Sequence, residues 1–267
     1  MLLAVEIDNS HINFGLFDIN ASNDLIKSFK LCADAAKTSD EYAVAINGML
    51  SYYETERSLI DAAIVSSVVP QLTDTLLTAI RALLGIDALT VGKGVKTGFS
   101  IKIDNPSDLG ADLVANAAAV TDIKNKENKS NSPCVIIDMG TATTVFAINA
   151  NGEYIGGSIL AGVGISLEVL HGRTAQLPSV SLRAPSRSIG KNSQESIRSG
   201  VILGNAIMLD GFIERFSEEM KCDGNIEVFV TGEYAESIIG LCKHKMRYIS
   251  ELTLMGLCCI YKNNIKA

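Results

Sequence analysis

Two stretches of the chain share one pattern of apolar and polar positions. LAVEIDNSHINFGLFD (3–18) runs apolar to Glu6, breaks at a small polar cluster that includes Asn9-Ser10, and turns apolar again. VIIDMGTATTVFAINA (135–150) does the same, with Asp138 ending the first apolar run and Thr141 to Thr144 forming the cluster. Each predicts a strand, a tight turn and a second strand. Glu6 and Asp138 lie 132 residues apart in a chain of 267, so the simplest reading is two homologous halves.

Both halves continue in strand–helix alternation. AAIVSSVV (62–69) reads as a buried strand stopped by Pro70, and Leu72, Leu76, Leu77, Ile80, Leu83 and Leu84 then recur at helical spacing. Residues 109–122 are Ala-rich and helical, whereas KNKENKSNSP (124–133) has no apolar face and predicts a loop. The chain is expected to divide there, into residues 1–122 and 123–267. Ile197, Val201, Ile202, Leu209 and Ile213 mark a helix pair over 193–219, residues 226–231 a strand, and 252–261 an apolar closing helix. Strands alternating with helices imply an α/β fold with helices over the sheet faces.

Composition narrows the partners. A net charge of −7 and a pI near 5.1 would repel nucleic acid and anionic membrane surfaces, which favours a small-molecule function. The chain has no uninterrupted run of 18 apolar residues and reaches Glu6 too early for a signal peptide, so no membrane span and a cytoplasmic location are expected. Six cysteines, at 32, 134, 222, 242, 258 and 259, form no CxxC pair and are expected to be buried thiols. His11, His171 and His244 are scattered, which predicts no His/Cys metal site.

The repeated turn suits phosphate. Glycine lets backbone approach phosphate oxygens, turn N–H groups and hydroxyls donate to them, and a carboxylate at the strand end can hold hydrated Mg²⁺. Two copies at half-chain spacing predict a nucleotide clasped between two domains.

The residues here resemble the type III pantothenate kinases. Asp138-Met-Gly-Thr-Ala-Thr-Thr144 is similar to that family's second phosphate motif. The likeness runs in order through SSVVP (66–70), GVKTG (94–98), DNP (104–106), GAD (110–112), GEYIGG (152–157), GKN (190–192), Glu195-Ser196, Asp210-Gly211 and LTL (252–254). It implies a duplicated actin-like (ribonuclease H-like) α/β fold with an ATP cleft between two domains. It also implies transfer of the ATP γ-phosphoryl group to the terminal hydroxyl of pantothenate, the step that opens coenzyme A synthesis.

Carried over by position, Asp112 resembles the general base. Asp138 resembles the ligand of a monovalent cation, K⁺ or NH₄⁺. Glu6, Ile7, Asp8, Asn9, Ser10, His11, Ile12 and Asn13 correspond to the first phosphate loop, and Thr141 to an ATP contact. Ile103, Gly110, Ala111, Asp112, Leu113 and Ser193 fall at pantothenate contacts. The resemblance further implies ATP with Mg²⁺ and a homodimer whose substrate pocket lies at the subunit interface.

Apart from the conservative Ser10 for Thr, five positions depart from the family pattern. Its first motif, Asp-x-Gly-Asn-Thr, is Glu6-Ile-Asp8-Asn9-Ser10, and its Thr-Gly-Gly is Thr231-Gly232-Glu233. The Arg after the base is Leu113 and a pocket Tyr is Ile103. The repeat exposes the first two independently, because Asp138 and Gly140 stand opposite Glu6 and Asp8. A carboxylate at position 8 beside polyphosphate costs on the order of 1–4 kcal/mol if unscreened, and Leu offers a substrate carboxylate no charge-assisted bond. These changes predict weakened ATP binding and frame two readings: a pantothenate kinase with impaired activity, or a catalytically silent homologue that binds or regulates. A different actin-like kinase or phosphatase is disfavoured by the length and by the GAD segment.

Overall fold

The computed structural model describes residues 1–19, 24–129, 131–222 and 226–265. Contacts divide the chain into two compact units: Met1–Phe99 with Asp104–Ile123 and Glu251–Ala267, and Ser100–Ile103 with Lys124–Ser250.

The first unit is built on β1 (Leu2–Ile7), β2 (His11–Phe17), β3 (Leu25–Cys32), α1 (Ser39–Tyr52), β4 (Ala62–Ser67), α2 (Pro70–Leu84) and β5 (Leu89–Thr90). Its sheet runs β3-β2-β1-β4-β5, with β1 antiparallel to β2 and parallel to β4. Strand alternation sends Leu3, Val5 and Ile7 to one face, where they pack with Tyr42, Ile46, Leu72 and Leu76 of α1 and α2. Leu2 and Ala4 go to the other face, under α3 (Ala111–Lys126) and the C-terminal helix Leu252–Ile265. Those two helices approach at backbone contact, because a side chain at Gly256 would strike the Ala115 backbone. Thr253 Oγ1 donates to Asn116 Oδ1 at 2.9 Å in the same buried layer.

The second unit repeats the plan. It contains β6 (Ser100–Ile101), β7 (Cys134–Met139), β8 (Ala142–Ile148), β9 (Glu153–Ala161), α4 (Val163–Gly172), α5 (Ser193–Arg198), a π-helical turn at Ser199–Leu203, α6 (Gly204–Glu219), β10 (Glu227–Thr231), α7 (Ala235–Ile239) and β11 (Arg247–Tyr248). The sheet order is β11-β10-β7-β8-β9-β6, with β7 antiparallel to β8 and parallel to β10. Even the irregularities repeat: the ladder between the second and third strands slips at Leu16/Phe17 in one unit and at Ala147/Ile148 in the other.

Several expectations shift in detail. α3 continues to Lys126, so the division expected after residue 122 falls inside a helix and the predicted 124–133 loop begins later. Lys124 reads as solvated but is 2% exposed; its ammonium donates to the Ser132 carbonyl and lies 3.7 Å from Cys134 Sγ. Those partners are what make burial of a lysine tolerable. The closing helix groups with the first unit. The 193–219 helix is long and apolar enough by composition to cross a membrane, yet Ile197, Val201, Ile202, Leu209 and Ile213 form part of the second unit's core. Cys134 and Cys258 are buried as expected, whereas Cys32 on β3 is exposed.

Candidate active site

In the first unit the chemistry gathers at the carboxyl ends of β1 and β4. Glu6 is paired in register with Asn13 on β2 and Ser66 on β4, so these three side chains share the face covered by α3. Asn13 Nδ2 donates to Glu6 Oε2 at 2.9 Å. Ile7 and Ile12 are buried in the core, and their role is to anchor the hairpin by packing. The turn between them was expected to aim its N–H groups at phosphate. Two are engaged within the turn: Asp8 N–H donates to the His11 carbonyl at 2.9 Å and Asn9 N–H to Asp8 Oδ1 at 2.6 Å.

Asp112 sits in the first turn of α3, where unpaired helical N–H groups favour a carboxylate. The Leu113 N–H donates to Asp112 Oδ1 at 2.8 Å. The carboxylate also packs over Gly110, leaving no room there for a side chain. Burial pushes the Asp112 pKa up and the negative charge of Asp8 adds to the rise, while the hydrogen bonds oppose it. The fold thus brings the first hairpin turn and the Gly110-Ala-Asp112 segment into one acidic neighbourhood. Leu113 is buried, at 8% exposed.

The second unit places Asp138 at the equivalent point, in register with Thr144 on β8 and Thr231 on β10. Its turn is Gly140-Thr141, and neighbouring glycines let other backbone pack directly against it. A side chain on Gly162 would strike the Gly140 and Thr141 carbonyls, and one on Gly232, at φ +101°, the Met139 backbone. Tyr234 N–H donates to the Met139 carbonyl at 3.3 Å, and the Tyr234 hydroxyl fills the space that a side chain on Gly164 would need. Burial raises the Tyr234 pKa and the charge of Glu233 raises it further. Gly162 and Gly232 therefore hold neighbouring backbone tightly around Gly140-Thr141, while Gly140 itself has no close neighbour, which fits a turn that phosphate can approach.

Of the expected substrate contacts, Gly110, Ala111, Asp112 and Leu113 belong to the first unit, Ile103 and Ser193 to the second. Gly232 was named in the Thr231-Gly232-Glu233 segment, whereas Gly162, Gly164 and Tyr234, which pack around the second turn, were not singled out. The only signal in the sequence was the density of glycine in 156–164, because what each glycine abuts is decided by the fold.

A family model described as type III pantothenate kinase matches residues 2–215. The type III pantothenate kinase of Streptomyces avermitilis is 35% identical over 271 residues, covering 99% of both chains. Among solved structures, a Campylobacter jejuni protein assigned to the Baf family of transcriptional activators superposes with a TM-score of 0.60 at 18% identity, covering 99% of this chain and 100% of that one. The activator of 2-hydroxyisocaproyl-CoA dehydratase from Clostridium difficile, solved with bound ADPNP, gives 0.52 at 11% identity, covering 99% and 96%. These structural likenesses establish the fold, a two-domain, actin-like α/β architecture. The full-length identity and the match over most of the sequence establish that this chain belongs to the type III pantothenate kinase family.

Proposed function

We propose that this protein catalyses ATP-dependent phosphorylation of pantothenate to 4'-phosphopantothenate. The observation that carries the proposal is the retained Asp112, half-buried beside Gly110 and held by the Leu113 N–H, within a chain that matches a pantothenate kinase over 99% of both lengths. Asp112 accepts the proton of the substrate hydroxyl; its raised pKa makes it a stronger base than an exposed aspartate. The backbone around Gly140-Thr141 receives phosphate, with Gly162 and Gly232 packing neighbouring backbone closely behind the turn. ATP is the donor and a divalent metal its companion, as in kinases generally; Mg²⁺, when bound, would supply neutralisation of phosphate charge. Glu6 holds hydrated Mg²⁺ and Asp138 a K⁺ or NH₄⁺ ion. Gly110, Ala111, Leu113, Ile103 and Ser193 position pantothenate, with Leu113 offering apolar contact only.

The reading includes a homodimer working in the cytoplasm. Ile155, Ile159, Ile165, Val169, Ile189 and Ile207 stand in solvent in the second unit, Ile159 at 75% and Ile207 at 63% exposed, and a second copy of the chain covers part of this surface. The test is a coupled phosphorylation assay with pantothenate, millimolar ATP, Mg²⁺ and K⁺. ADP release that depends on pantothenate supports the proposal. Its absence in a folded preparation overturns it in favour of a binding protein.

A further inference from the structure

The face of the first sheet that carries Glu6 holds a row of side chains running across its strands. Ser66 on β4, Glu6 on β1, Asn13 on β2 and Lys30 on β3 each stand opposite the next in register. Phe29, the residue before Lys30, is buried on the other face and stacks on Phe14 at 4.8 Å, which fixes the side to which Lys30 belongs. Ser28 shares the Lys30 face one step farther from the turn, and its hydroxyl is committed to Glu251 Oε1 at 2.9 Å. Lys30 itself is exposed, and among the described residues none forms a hydrogen bond or ion pair with it.

Asn13 stands between Glu6 and Lys30. Its Nδ2 donates to Glu6 Oε2, and its Oδ1 is buried without a partner. Neighbouring strands lie about 4.8 Å apart, a gap that the flexible four-carbon stem of lysine spans. An ammonium has three donors and no acceptor, so one can meet Asn13 Oδ1 and leave two for a ligand at the turn. That ligand must be anionic to suit them. Glu6, Asp8 and Asp112 make the neighbourhood acidic, with the charge of Asp8 acting on Asp112, and a polyphosphate entering it is repelled unless a cation stands by. We propose that Lys30 positions the terminal phosphates of the nucleotide, its ammonium reaching across Asn13 to donate to phosphate oxygens beside the first turn. Asp8 then gains a counter-charge from the same sheet, and a carboxylate where the second hairpin has Gly140 becomes compatible with phosphate. The choice of ATP as that nucleotide rests on the kinase reading.

The test is a calorimetric titration of the full-length protein with ATP and Mg²⁺, in the absence of pantothenate. Lys30→Met should weaken ATP binding by about tenfold or more, the scale of one hydrogen bond to a charged group, with melting unchanged. Lys30→Arg should recover most of that loss. The ATP affinity of wild type should also fall more steeply with salt than that of Lys30→Met, because only the former keeps the charge pair. In the phosphorylation assay the Lys30→Met defect should appear in KM for ATP more than in kcat. Equal ATP affinities in wild type and folded Lys30→Met, or parallel salt curves, overturn the proposal. Lys30-dependent ATP binding without pantothenate turnover sinks the kinase reading and spares the role of Lys30. Turnover indifferent to Lys30 does the reverse, and no ATP binding by folded wild type overturns both.

Discussion

The hairpins β1–β2 and β7–β8 have the same strand partners and the same place in their sheets, yet their turns differ in length and charge. Asp8, Asn9 and Ser10 join the first pair; only Gly140 and Thr141 join the second. The first turn folds back on itself, with Asp8 accepting from Asn9 N–H, while the second is surrounded by glycines that keep neighbouring backbone close. Duplication preserved the register that carries each hairpin and left the turn free to change. A strand register tolerates no slip without reversing every side chain, whereas a turn residue answers only to its own backbone and ligand. The first unit offers carboxylates, the proposed base Asp112 among them; the second offers a turn against which other backbone packs closely.

The sharpest test of that division is Asp112→Asn. It keeps the shape of the side chain but removes the base, so turnover should fall by about 10²–10⁴-fold with melting unchanged. A smaller loss would move the proton transfer elsewhere.

Next in size is the backbone cradle. Gly232→Ala places a Cβ against Met139 at φ +101° and should cost roughly 2–4 kcal/mol in urea unfolding. Gly172→Ala, where nothing lies within 4 Å, should cost nothing comparable. Equal costs would mean that the second turn is not tightly cradled.

A charged brace in the second unit gives a pH-dependent comparison. Burial pushes the Asp210 pKa up, but hydrogen bonds from Lys243 N–H and from the backbone and ring of His244 outweigh it, so the net shift is below the ordinary 3.8. A depressed folded pKa gives stability that is present above 3.8 and lost as pH falls through the folded value. Wild type should therefore lose urea resistance on acidification more steeply than Asp210→Asn. At neutral pH the variant should be weaker by about 1–3 kcal/mol. Parallel pH curves would remove Asp210 from the balance.

The smallest effect expected concerns the turn itself. Glu6→Asp with Asp8→Gly makes the first hairpin resemble the second and should tighten ATP binding in calorimetry by roughly tenfold, the equivalent of about 1.4 kcal/mol. No gain would place the cost of the departures outside this turn.

Much of this was legible in the chain. Strand alternation, the 132-residue repeat and Pro70 announced β1, β2, β7, β8 and the start of α2, because each depends on neighbours in sequence. Thr38 and Glu41 form a capping box that opens α1, a local signal that the hydrophobic pattern does not carry. β3 and β9 were not read: Ile26, Lys27 and Ser28 in one and the glycines of 156–157 in the other blur the alternation, and pairing alone makes them strands. Lys124 was misread as solvated because only the fold supplies the Ser132 carbonyl.

The sequence by itself determined the duplication, the acidic first turn and the presence of Asp112, since all three are matters of residue identity and spacing. Only the tertiary structure decided that Ser66 and Asn13 flank Glu6, that Asp8 acts on Asp112, and that Gly162 and Gly232 converge on the second turn. The reason is physical: those relations join residues far apart in the chain, and sheet register and backbone packing, not local preference, bring them together.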